Sequence, residues 1–469
     1  MTLSSRNLPP FVDDTSERAP SRAGLGSAIA SVFVVLLANV AAHGETRSWW
    51  DDIPGFTAQS GTTRNQSAAP GPAGEARPPR DAEPASAELR RDAIPMASEE
   101  TRQALELAIS RYQEIVADGG WPMVPSTART LRPGEEDTRI PVLVKRLAIG
   151  GDLVRGTRLS VEVYGAELEA AIKRFQDRHG LKPTGLIDRS TVAAMNVTAD
   201  QRLAQLRINS IRVRELAVSM AQAERYVLVN AAAFQAEAVE QRLGVIGRHR
   251  VINGKPERQT PGVKATIRNI NFFPYWHVPD SVAHLDLIPK LQKDPGYLER
   301  EKIRVLRDWK GAEIPPESID WRAPEAALYK FQQDPGPQNA LGLVRIDMPN
   351  TEAVYMHDTP MKQLFSQRGR SYSAGCVRVE GVFDLVAWIL RDVPGWDRAR
   401  IDQVLAAGQP LDIPLPRPVP VQFTYITAWG NPDGRIDFRP DLYNRDGISS
   451  LIASYAGDKA PAGIEALAP

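Results

Sequence analysis

The chain contains one cysteine, Cys376, in the run Ser-Ala-Gly-Cys-Val-Arg, and a histidine, His357, lies upstream of it. A lone thiol forms no intramolecular disulfide, so in an exported protein its retention indicates reactivity. A thiolate is a nucleophile, and an imidazole can accept the proton that the thiol loses. The two residues therefore predict covalent catalysis by a cysteine.

The sequence separation of the two residues predicts how the fold must join them. They are too far apart for one helix face, so we expect neighbouring antiparallel strands connected by residues 362–372. His357 is expected to act as general base and acid and, when protonated, to lower the pKa of the thiol. Gly375 permits a tight backbone, and the amides of Gly375 and Cys376 are expected to face a developing oxyanion.

Other polar residues near the pair are candidates for orienting it or for binding substrate. Asp358 is a candidate for orienting the imidazole, with capping of a turn as the alternative. Arg378 is a candidate for holding a substrate carboxylate, with pairing to a structural acid as the alternative. Ser373 and Tyr355 are further candidates, and strand packing is the alternative for both.

Two other interpretations of Cys376 are an inert core residue and a metal ligand. Free cysteine is among the most buried residue types, so Cys376 as an inert core residue is the first alternative. The flanking Ser373, Gly375 and Arg378, with His357 upstream, favour reactivity. A zinc site needs about four ligands, whereas the 6 histidines are scattered and no second cysteine is present. We therefore expect no metal.

Length and charge limit the class of protein. A chain of 469 residues exceeds what one hydrophobic core normally supports, so two or three domains are expected. Lys and Arg together number 57, as do Asp and Glu, so the formal net charge is zero. Such a chain has no bulk positive field that attracts nucleic acid, and we expect no nucleic-acid partner.

The N-terminal residues carry an export signature. Several arginines precede an uncharged apolar run, residues 24–42, which ends in Val40-Ala41-Ala42. Cleavage after Ala42 makes residues 1–43 a signal peptide, whereas an uncleaved run is a membrane anchor. Both interpretations predict a periplasmic protein. Residues 44–97 are rich in Pro, Ala, Gly and Ser and predict a disordered linker.

Hydrophobic periodicity divides the rest of the chain. Residues 98–140 predict the first part of a helical scaffold, with a helix capped by Ser98, and residues 199–225 predict its second part. Residues 141–198 predict three short amphipathic helices. From residue 226 the period shifts towards two, which predicts a mostly β domain up to residue 440, with strands that include 231–238 and 421–429 and a hairpin turn at 431–434. Within it, the helical period after Arg378 predicts a helix that begins near Gly381. Residues 441–469 form a C-terminal tail.

Residues 141–198 resemble the peptidoglycan-binding domain of wall hydrolases and transpeptidases. The resemblance rests on Phe175-Gln176, His179-Gly180-Leu181 and Thr184-Gly185-Leu186. It implies a small helical fold, and ligand binding stays open because such domains also act as scaffolds. His179 has no partner at metal-ligand spacing, so we expect a structural role for this residue.

Residues 226–440 resemble the L,D-transpeptidase catalytic domain. The resemblance rests on the turn 253–261, the aromatic segment 271–279, the loop 333–342, the His357 run and the cysteine motif. With the peptidoglycan-binding segment, the chain is similar to the long-chain branch of this family. That branch carries a capping subdomain, to which we assign residues 281–320 as a lid. The expected fold is multidomain: a mostly β catalytic domain with a helical lid, a small α-helical domain and a helical scaffold.

The resemblance also implies a reaction. Cys376 would attack the carbonyl between the third residue and the terminal D-alanine of a donor tetrapeptide stem, forming a thioester and releasing D-alanine. An amine of an acceptor stem would then take the acyl group and create a peptidoglycan cross-link. Water as acceptor would make the enzyme an L,D-carboxypeptidase, and the amine of an outer-membrane protein is a further alternative. No cofactor is implied, because the donor peptide bond supplies the activation.

The chain departs from the family pattern at one position. Many members have a histidine immediately before the Gly-Cys pair, whereas this chain has Ala374. The residue implied as the catalytic base is the upstream His357, so activity is expected to survive. Any help that a second imidazole gives in orienting substrate is absent.

Overall fold

The computed structural model describes residues 93–448, except residues 127–128, 155, 157–159 and 161. The predicted signal or anchor, most of the predicted linker and the end of the tail lie outside the described residues. Within the described ranges, no helix has the length and apolar character needed to cross a membrane.

Helices dominate the first half of the described chain. Ser98 caps the first of them, because its hydroxyl accepts a hydrogen bond from the Thr101 amide at 3.1 Å. The α-helices are α1 Glu99–Ala117, α2 Ile140–Gly150, α3 Ala166–Arg178, α4 Arg189–Met195, α5 Ala199–Met220, α6 Asp280–Val282, α7 Ile288–Leu291, α8 Tyr297–Arg300, α9 Val382–Leu390 and α10 Arg398–Ala407. The three helices predicted between residues 141 and 198 are confirmed as α2, α3 and α4.

Strands begin where the period of two begins. They are β1 Arg225–Asn230, β2 Gln235–Glu240, β3 Gly244–Gly254, β4 Val263–Phe272, β5 Trp276–His277, β6 Ile303–Leu306, β7 Lys330–Gln333, β8 Val344–Asp347, β9 Met356–His357, β10 Ser371–Ser373, β11 Val377–Val379, β12 Leu411–Thr424, β13 Ala428–Gly430 and β14 Ile436–Phe438. Ala231–Ala233, predicted as the start of a strand, form a 3-10 turn between β1 and β2.

The largest sheet closes on itself. Its strand order is β10-β3-β11-β9-β8-β4-β12-β1-β2, and β2 also pairs with β3. The first half of the long β3 pairs with β2, while its last residues pair with β11 and β10. Apolar side chains from these strands meet those of α9, including Val386 and Ile389, in one core. The helix expected to begin near Gly381 is therefore confirmed and packs on the sheet that carries the cysteine.

Prolines shape β12. Four of them alternate with other residues between positions 414 and 420, and the ladder to β4 shifts register between Pro414 and Val419. Proline has no amide hydrogen, so it cannot donate to a neighbouring strand, and a register shift accommodates the missing bonds. The strand still pairs with β4 on one side and with β1 on the other.

The strand predicted over residues 421–429 is divided in the structure. Residues up to Thr424 belong to β12, whereas β13 and β14 form a separate hairpin that packs on α1 and α5. The Thr427 amide donates to Asn209 Oδ1 at 2.8 Å, which fixes this chain segment to α5. At Gly430 the hairpin approaches α1 so closely that an added Cβ would lie 2.4 Å from the Ala104 backbone. Tertiary contacts therefore end the strand early.

Three buried arginines lie where the small helical domain meets this hairpin, and we name Arg146, Arg178 and Arg202 the arginine junction. Arg178 pairs with the buried Asp152 at 2.6 Å. The Arg146 guanidinium lies 3.7 Å from the Trp121 ring centroid, and that of Arg202 lies 4.6 Å from the Phe438 ring centroid. Aromatic rings thus replace most of the solvent around these cations.

The segment predicted as the lid, together with the strands that flank it, has its own core and is called the lid below. Strands β5, β7 and β6 form a three-stranded sheet, and α6 to α8 lie between its strands in sequence. Trp276, Leu287, Leu298, Phe331 and Leu341 are among the buried side chains that pack there. This unit extends well beyond the predicted boundaries of 281–320, because β5 and β7 lie outside them.

Candidate active site

Strands β9 and β11 carry the predicted catalytic residues side by side. Met356 lies opposite Val377 and His357 opposite Arg378, in parallel register. The expectation of antiparallel strands is therefore wrong. The chain reverses once before β10, which runs parallel to β3, and again at the turn before β11, which runs antiparallel to β3. Two reversals leave β11 parallel to β9.

Cys376 lies in the turn immediately before β11 and is 6% exposed. Burial raises the pKa of the thiol to about 11, although the backbone amide and hydroxyl of Tyr355, and the cations Arg378 and Arg345, act in the opposite direction. The thiol is therefore protonated at neutral pH, and a base must take its proton as it attacks.

His357 is fully buried, with one ring nitrogen bonded and the other open. Nδ1 lies 2.5 Å from the backbone oxygen of Asp358. A carbonyl oxygen only accepts, so Nδ1 carries the hydrogen and Nε2 keeps its lone pair. Nε2 is buried and makes no hydrogen bond of acceptable geometry with the described residues. This tautomer is the one that a general base requires.

The protonation state of His357 corrects one expectation. Burial, followed by the Arg378 cation, lowers the pKa of His357 to about 3, against smaller opposing effects of the Asp358 and Leu341 backbones. A neutral imidazole supplies no cation to the thiol of Cys376. The resting pair is thiol and imidazole, so His357 is suited to accept the proton during attack.

Tyr355 contacts both His357 and Cys376. No direct hydrogen bond joins His357 to Cys376 in the described structure. Its ring lies edge-on to His357, with centroids 5.8 Å apart, and its amide and hydroxyl face the sulfur of Cys376. The Arg345 guanidinium lies 5.6 Å from the centroid of the same ring. Burial raises the pKa of Tyr355 well above its ordinary range, so its hydroxyl stays protonated. Tyr355 therefore does more than pack a strand.

Asp358 orients the imidazole through its backbone. Its carbonyl holds His357, while its carboxylate accepts from the Leu343 amide at 3.0 Å and pairs with Lys362. Gly342 lies so close that an added Cβ would be 2.5 Å from this carboxylate. The carboxylate thus fixes the loop around the histidine and does not touch the ring.

Ser373 holds the cysteine turn. Its hydroxyl accepts from the Gly375 amide at 3.1 Å and donates to the Cys376 carbonyl at 2.6 Å. The Gly375 amide is therefore occupied, which corrects its expected role at the oxyanion. Gly375 has φ of +129°, so its contribution is a backbone conformation that side chains disfavour. The Cys376 amide donates to no described acceptor and remains available to an oxyanion.

Two residues of this region were missed by sequence reasoning. Thr260 donates from its hydroxyl to the Gly375 carbonyl at 2.9 Å and accepts from the Gly254 amide, so it ties the cysteine turn to β3. Arg345 lies opposite His357 on β8 and bonds Asn271 through Nε at 3.0 Å. Thr260 lies in the turn 253–261, which is part of the family resemblance. No local sequence pattern indicates a role for Arg345.

Arg378 is buried and poorly satisfied. It is 2% exposed, its Nε has no hydrogen-bond partner, and Nη1 reaches only Thr359 Oγ1 and Met361 Sδ, each at 3.5 Å. No described acid lies within ion-pairing distance of it. Burial lowers the pKa of Arg378 to about 10. The alternative of a structural acid as its partner therefore finds no support in the described structure.

The lid lies over this cluster. Tyr355 and Ala374 pack against the lid core, and Ala374 stands where many family members have histidine. Arg258, in the turn between β3 and β4, pairs with Asp286 of the lid at 2.5 Å and 2.8 Å. Within the described ranges, no group of three or more His, Cys, Asp or Glu residues is placed to hold a metal ion.

Comparisons with known proteins agree with this architecture. Residues 224–410 match the family described as "L,D-transpeptidase catalytic domain", and residues 143–195 match the family described as "Putative peptidoglycan binding domain". A curated protein of Haemophilus influenzae, named "Putative L,D-transpeptidase", is 36% identical over 198 residues. The matched region is 42% of this chain and spans 40% of the length of that relative.

Solved structures of similar proteins were also found. An L,D-transpeptidase from Mycobacterium smegmatis is 14% identical, with a TM-score of 0.21, and the match covers 43% of this chain and 59% of that chain. An L,D-transpeptidase from Xylanimonas cellulosilytica is 12% identical, with a TM-score of 0.20, and the match covers 64% of this chain and 99% of that chain. Residues 224–410 are thus similar to the L,D-transpeptidase catalytic domain, and residues 143–195 are similar to a peptidoglycan-binding domain.

Proposed function

We propose that this protein is an L,D-transpeptidase that cross-links peptidoglycan stem peptides through a thioester on Cys376. The observation that carries the proposal is the open Nε2 of a neutral, buried His357 on the strand that pairs with the cysteine strand. The family matches and the small domain supply the substrate class.

In the first half-reaction, Sγ of Cys376 attacks the carbonyl carbon between the third residue and the terminal D-alanine of the donor stem. The thiol proton passes to Nε2 of His357 as the S–C bond forms. The negative charge that develops on the carbonyl oxygen faces the Cys376 amide. The C–N bond then breaks, His357 returns the proton to the leaving amine, and D-alanine departs.

In the second half-reaction, the side-chain amine of a second stem attacks the thioester carbonyl. His357 accepts a proton from this amine, the C–S bond breaks, and the proton returns to the sulfur. The product is a peptide bond between the third residues of two stems. Water in place of the amine would give the carboxypeptidase, and a protein amine would give attachment of an outer-membrane protein.

The other parts of the chain have proposed roles in the same reaction. The helical domain at residues 143–195 keeps the enzyme on its polymeric substrate, and the lid excludes water from the thioester once the donor is bound. We propose a periplasmic location, because peptidoglycan stems are found there. Residues 24–42, which would be the signal or anchor, lie outside the described residues.

The test uses the full-length protein, wild type and Cys376→Ala, with disaccharide tetrapeptides. Products are read by mass spectrometry. We expect cysteine-dependent dimers that have lost one D-alanine. Cysteine-dependent tripeptide monomers would instead identify the carboxypeptidase, and equal product from both proteins would refute the role of Cys376.

A further inference from the structure

Arg378 is a buried cation that forms no ion pair with a described acid. Arg146 and Arg202 also lack an acid among the described residues, but the rings of Trp121 and Phe438 cover them. A buried guanidinium normally pairs with a carboxylate, since an unpaired ion in the interior costs several kcal/mol. Here the described residues offer only a hydroxyl and a thioether at 3.5 Å. Two other buried arginines of the catalytic domain do pair with acids, Arg225 with Asp392 at 2.6 Å and Arg250 with Glu380 at 3.1 Å. The described residues therefore supply no counter-charge to Arg378, and an anionic ligand can supply it.

A small cavity lies next to this guanidinium. One wall is the turn from Thr359 to Met361 that follows the histidine, and the other comes from the lid residues Tyr297, Glu301, Gln333 and Gln338. The lining mixes polar and apolar groups, and the lid forms one of its walls, so a ligand held there contacts both the catalytic domain and the lid. Glu301 is the acid of this cavity, yet it forms no ion pair with Arg378.

The cavity is also close to the reacting atoms. Arg378 follows Cys376 by two positions, so in an extended chain the two lie about 6.6 Å apart on the same face. Arg378 lies opposite His357 in the register of β11 and β9, so the two side chains lie on the same face of the sheet. A donor carbonyl bonded to the sulfur has its leaving residue one Cα step further on, about 3.8 Å away. A carboxylate on that residue comes within reach of the guanidinium.

We propose that Arg378 binds the C-terminal carboxylate of the donor stem, which belongs to the residue that leaves. This inference rests on the proposed transpeptidase function and adds a rule of substrate length to it. Only a stem that ends one residue after the scissile bond places its carboxylate in the cavity. A stem longer by one residue moves the carboxylate about 3.3 to 3.6 Å further.

The test compares one donor in two forms, the disaccharide tetrapeptide with a free terminal carboxylate and the same compound with a terminal amide. Release of D-alanine or of D-alaninamide by the full-length protein is followed by mass spectrometry and expressed as kcat/KM. A charge-assisted hydrogen bond that is lost should lower kcat/KM of the wild type about 10- to 100-fold for the amide. This comparison needs no variant and so does not depend on the folding of one.

Variants assign the preference to Arg378. In Arg378→Met, of similar volume but uncharged, the acid and amide donors should react at equal rates, and Arg378→Lys should keep part of the preference. Arg345→Gln is the matched control, since this cation also acts on Cys376 but does not line the cavity. It should change both rates by the same factor. Alkylation of Cys376 and a thermal melt show that each variant is folded.

The outcomes separate this inference from the proposed function. Equal wild-type rates on acid and amide, or a full preference retained in Arg378→Met, would overturn the carboxylate role while leaving the transpeptidase intact. Glu301→Gln tests the remaining internal partner. If Glu301 pairs with Arg378 in place of the donor, the wild type would show no preference for the acid donor and Glu301→Gln would create one, which would overturn the carboxylate role in the wild type. Loss of all cysteine-dependent release from both donors would refute the proposed function itself.

Discussion

Two buried histidines, His179 and His357, each lie beside arginine and bond a backbone carbonyl through Nδ1. In His179 this bond goes to Phe175 at 2.7 Å, and the ring stacks on Phe175 and Phe438 with centroids 3.9 Å and 5.3 Å away. Burial, followed by the Arg178 cation, lowers its pKa well below the ordinary range. Both of its faces are thus covered by rings of the small domain and the C-terminal hairpin.

His357 has the same local chemistry and a different surrounding. Its Nδ1 is held by Asp358, but its aromatic neighbour Tyr355 meets it edge-on, and Nε2 makes no hydrogen bond of acceptable geometry with the described residues. The difference teaches that residue type and burial do not separate a structural from a reactive histidine. A ring nitrogen without a hydrogen bond to the described residues does, when its strand pairs with the strand that follows the thiol. Four predictions test this contrast.

The largest effect is expected from matched substitutions of the two histidines. His357→Gln should lower transpeptidase activity by about 10³-fold, because general-base catalysis is lost, with little change in the melting temperature. His179→Gln should leave kcat unchanged and lower stability, because the stacked ring is removed. Activity assays and thermal melts on both proteins check this. Equal loss of activity in both variants would contradict the contrast.

The arginines give the next contrast. Arg178→Met leaves Asp152 buried without its partner, so it should lower the free energy of unfolding by about 3 kcal/mol. Arg146→Met removes a guanidinium that donates to the Met195 carbonyl at 2.9 Å but pairs with no described acid, so it should change stability by no more than about 1 kcal/mol. Urea denaturation measures both. A larger loss in the Arg146 variant would show that its aromatic contacts outweigh the ion pair of Arg178.

Acid should destabilise the protein through both histidines. A histidine whose pKa is lowered on folding binds fewer protons in the folded than in the unfolded state, so its stability is complete above about pH 6.5 and is lost as pH falls. For His357 this amounts to about 2 kcal/mol between pH 7 and pH 5, and His179 acts in the same direction. In His179→Gln part of the loss should disappear. The midpoints of urea denaturation at pH 7 and pH 5 measure this loss of stability. If the loss is the same in His179→Gln as in the wild type, His179 does not contribute to it.

The smallest effect concerns the lid. Asp286→Asn breaks the partly exposed pair with Arg258 and should cost about 0.5 kcal/mol of stability, with a dependence on salt. Turnover should fall only a few-fold, since the lid core stays packed against Tyr355 and Ala374. Steady-state kinetics at low and high salt check this. Loss of most activity would mean that this pair, and not the lid core, holds the lid in place.

Much of the fold followed from local patterns. The Ser98 cap, the three helices of the small domain and the helix after Gly381 depend on residues close in sequence, and the structure has them. The parallel register of β9 and β11 could not be foreseen, because it depends on β10 pairing with the distant β3. The division of the last predicted strand likewise depends on contacts with α5.

The candidate active site could likewise be predicted only in part from the sequence. The thiol, the imidazole and their place on neighbouring strands followed from motif and separation, while their protonation states depend on burial that the sequence does not display. The hydroxyl of Ser373 takes the Gly375 amide, which removes one expected oxyanion donor. That no described acid pairs with Arg378 is a property of the packed structure and has no local signal.

The C-terminal hairpin has a consequence for dissecting the protein. The family match ends at residue 410, yet β12 completes the closed sheet and the hairpin after it covers α1, α5 and His179. A fragment cut at that boundary would therefore expose two cores at once. The small helical domain therefore cannot be exchanged alone between proteins. A folded chimera must include Phe438 and its hairpin together with the helices that they cover.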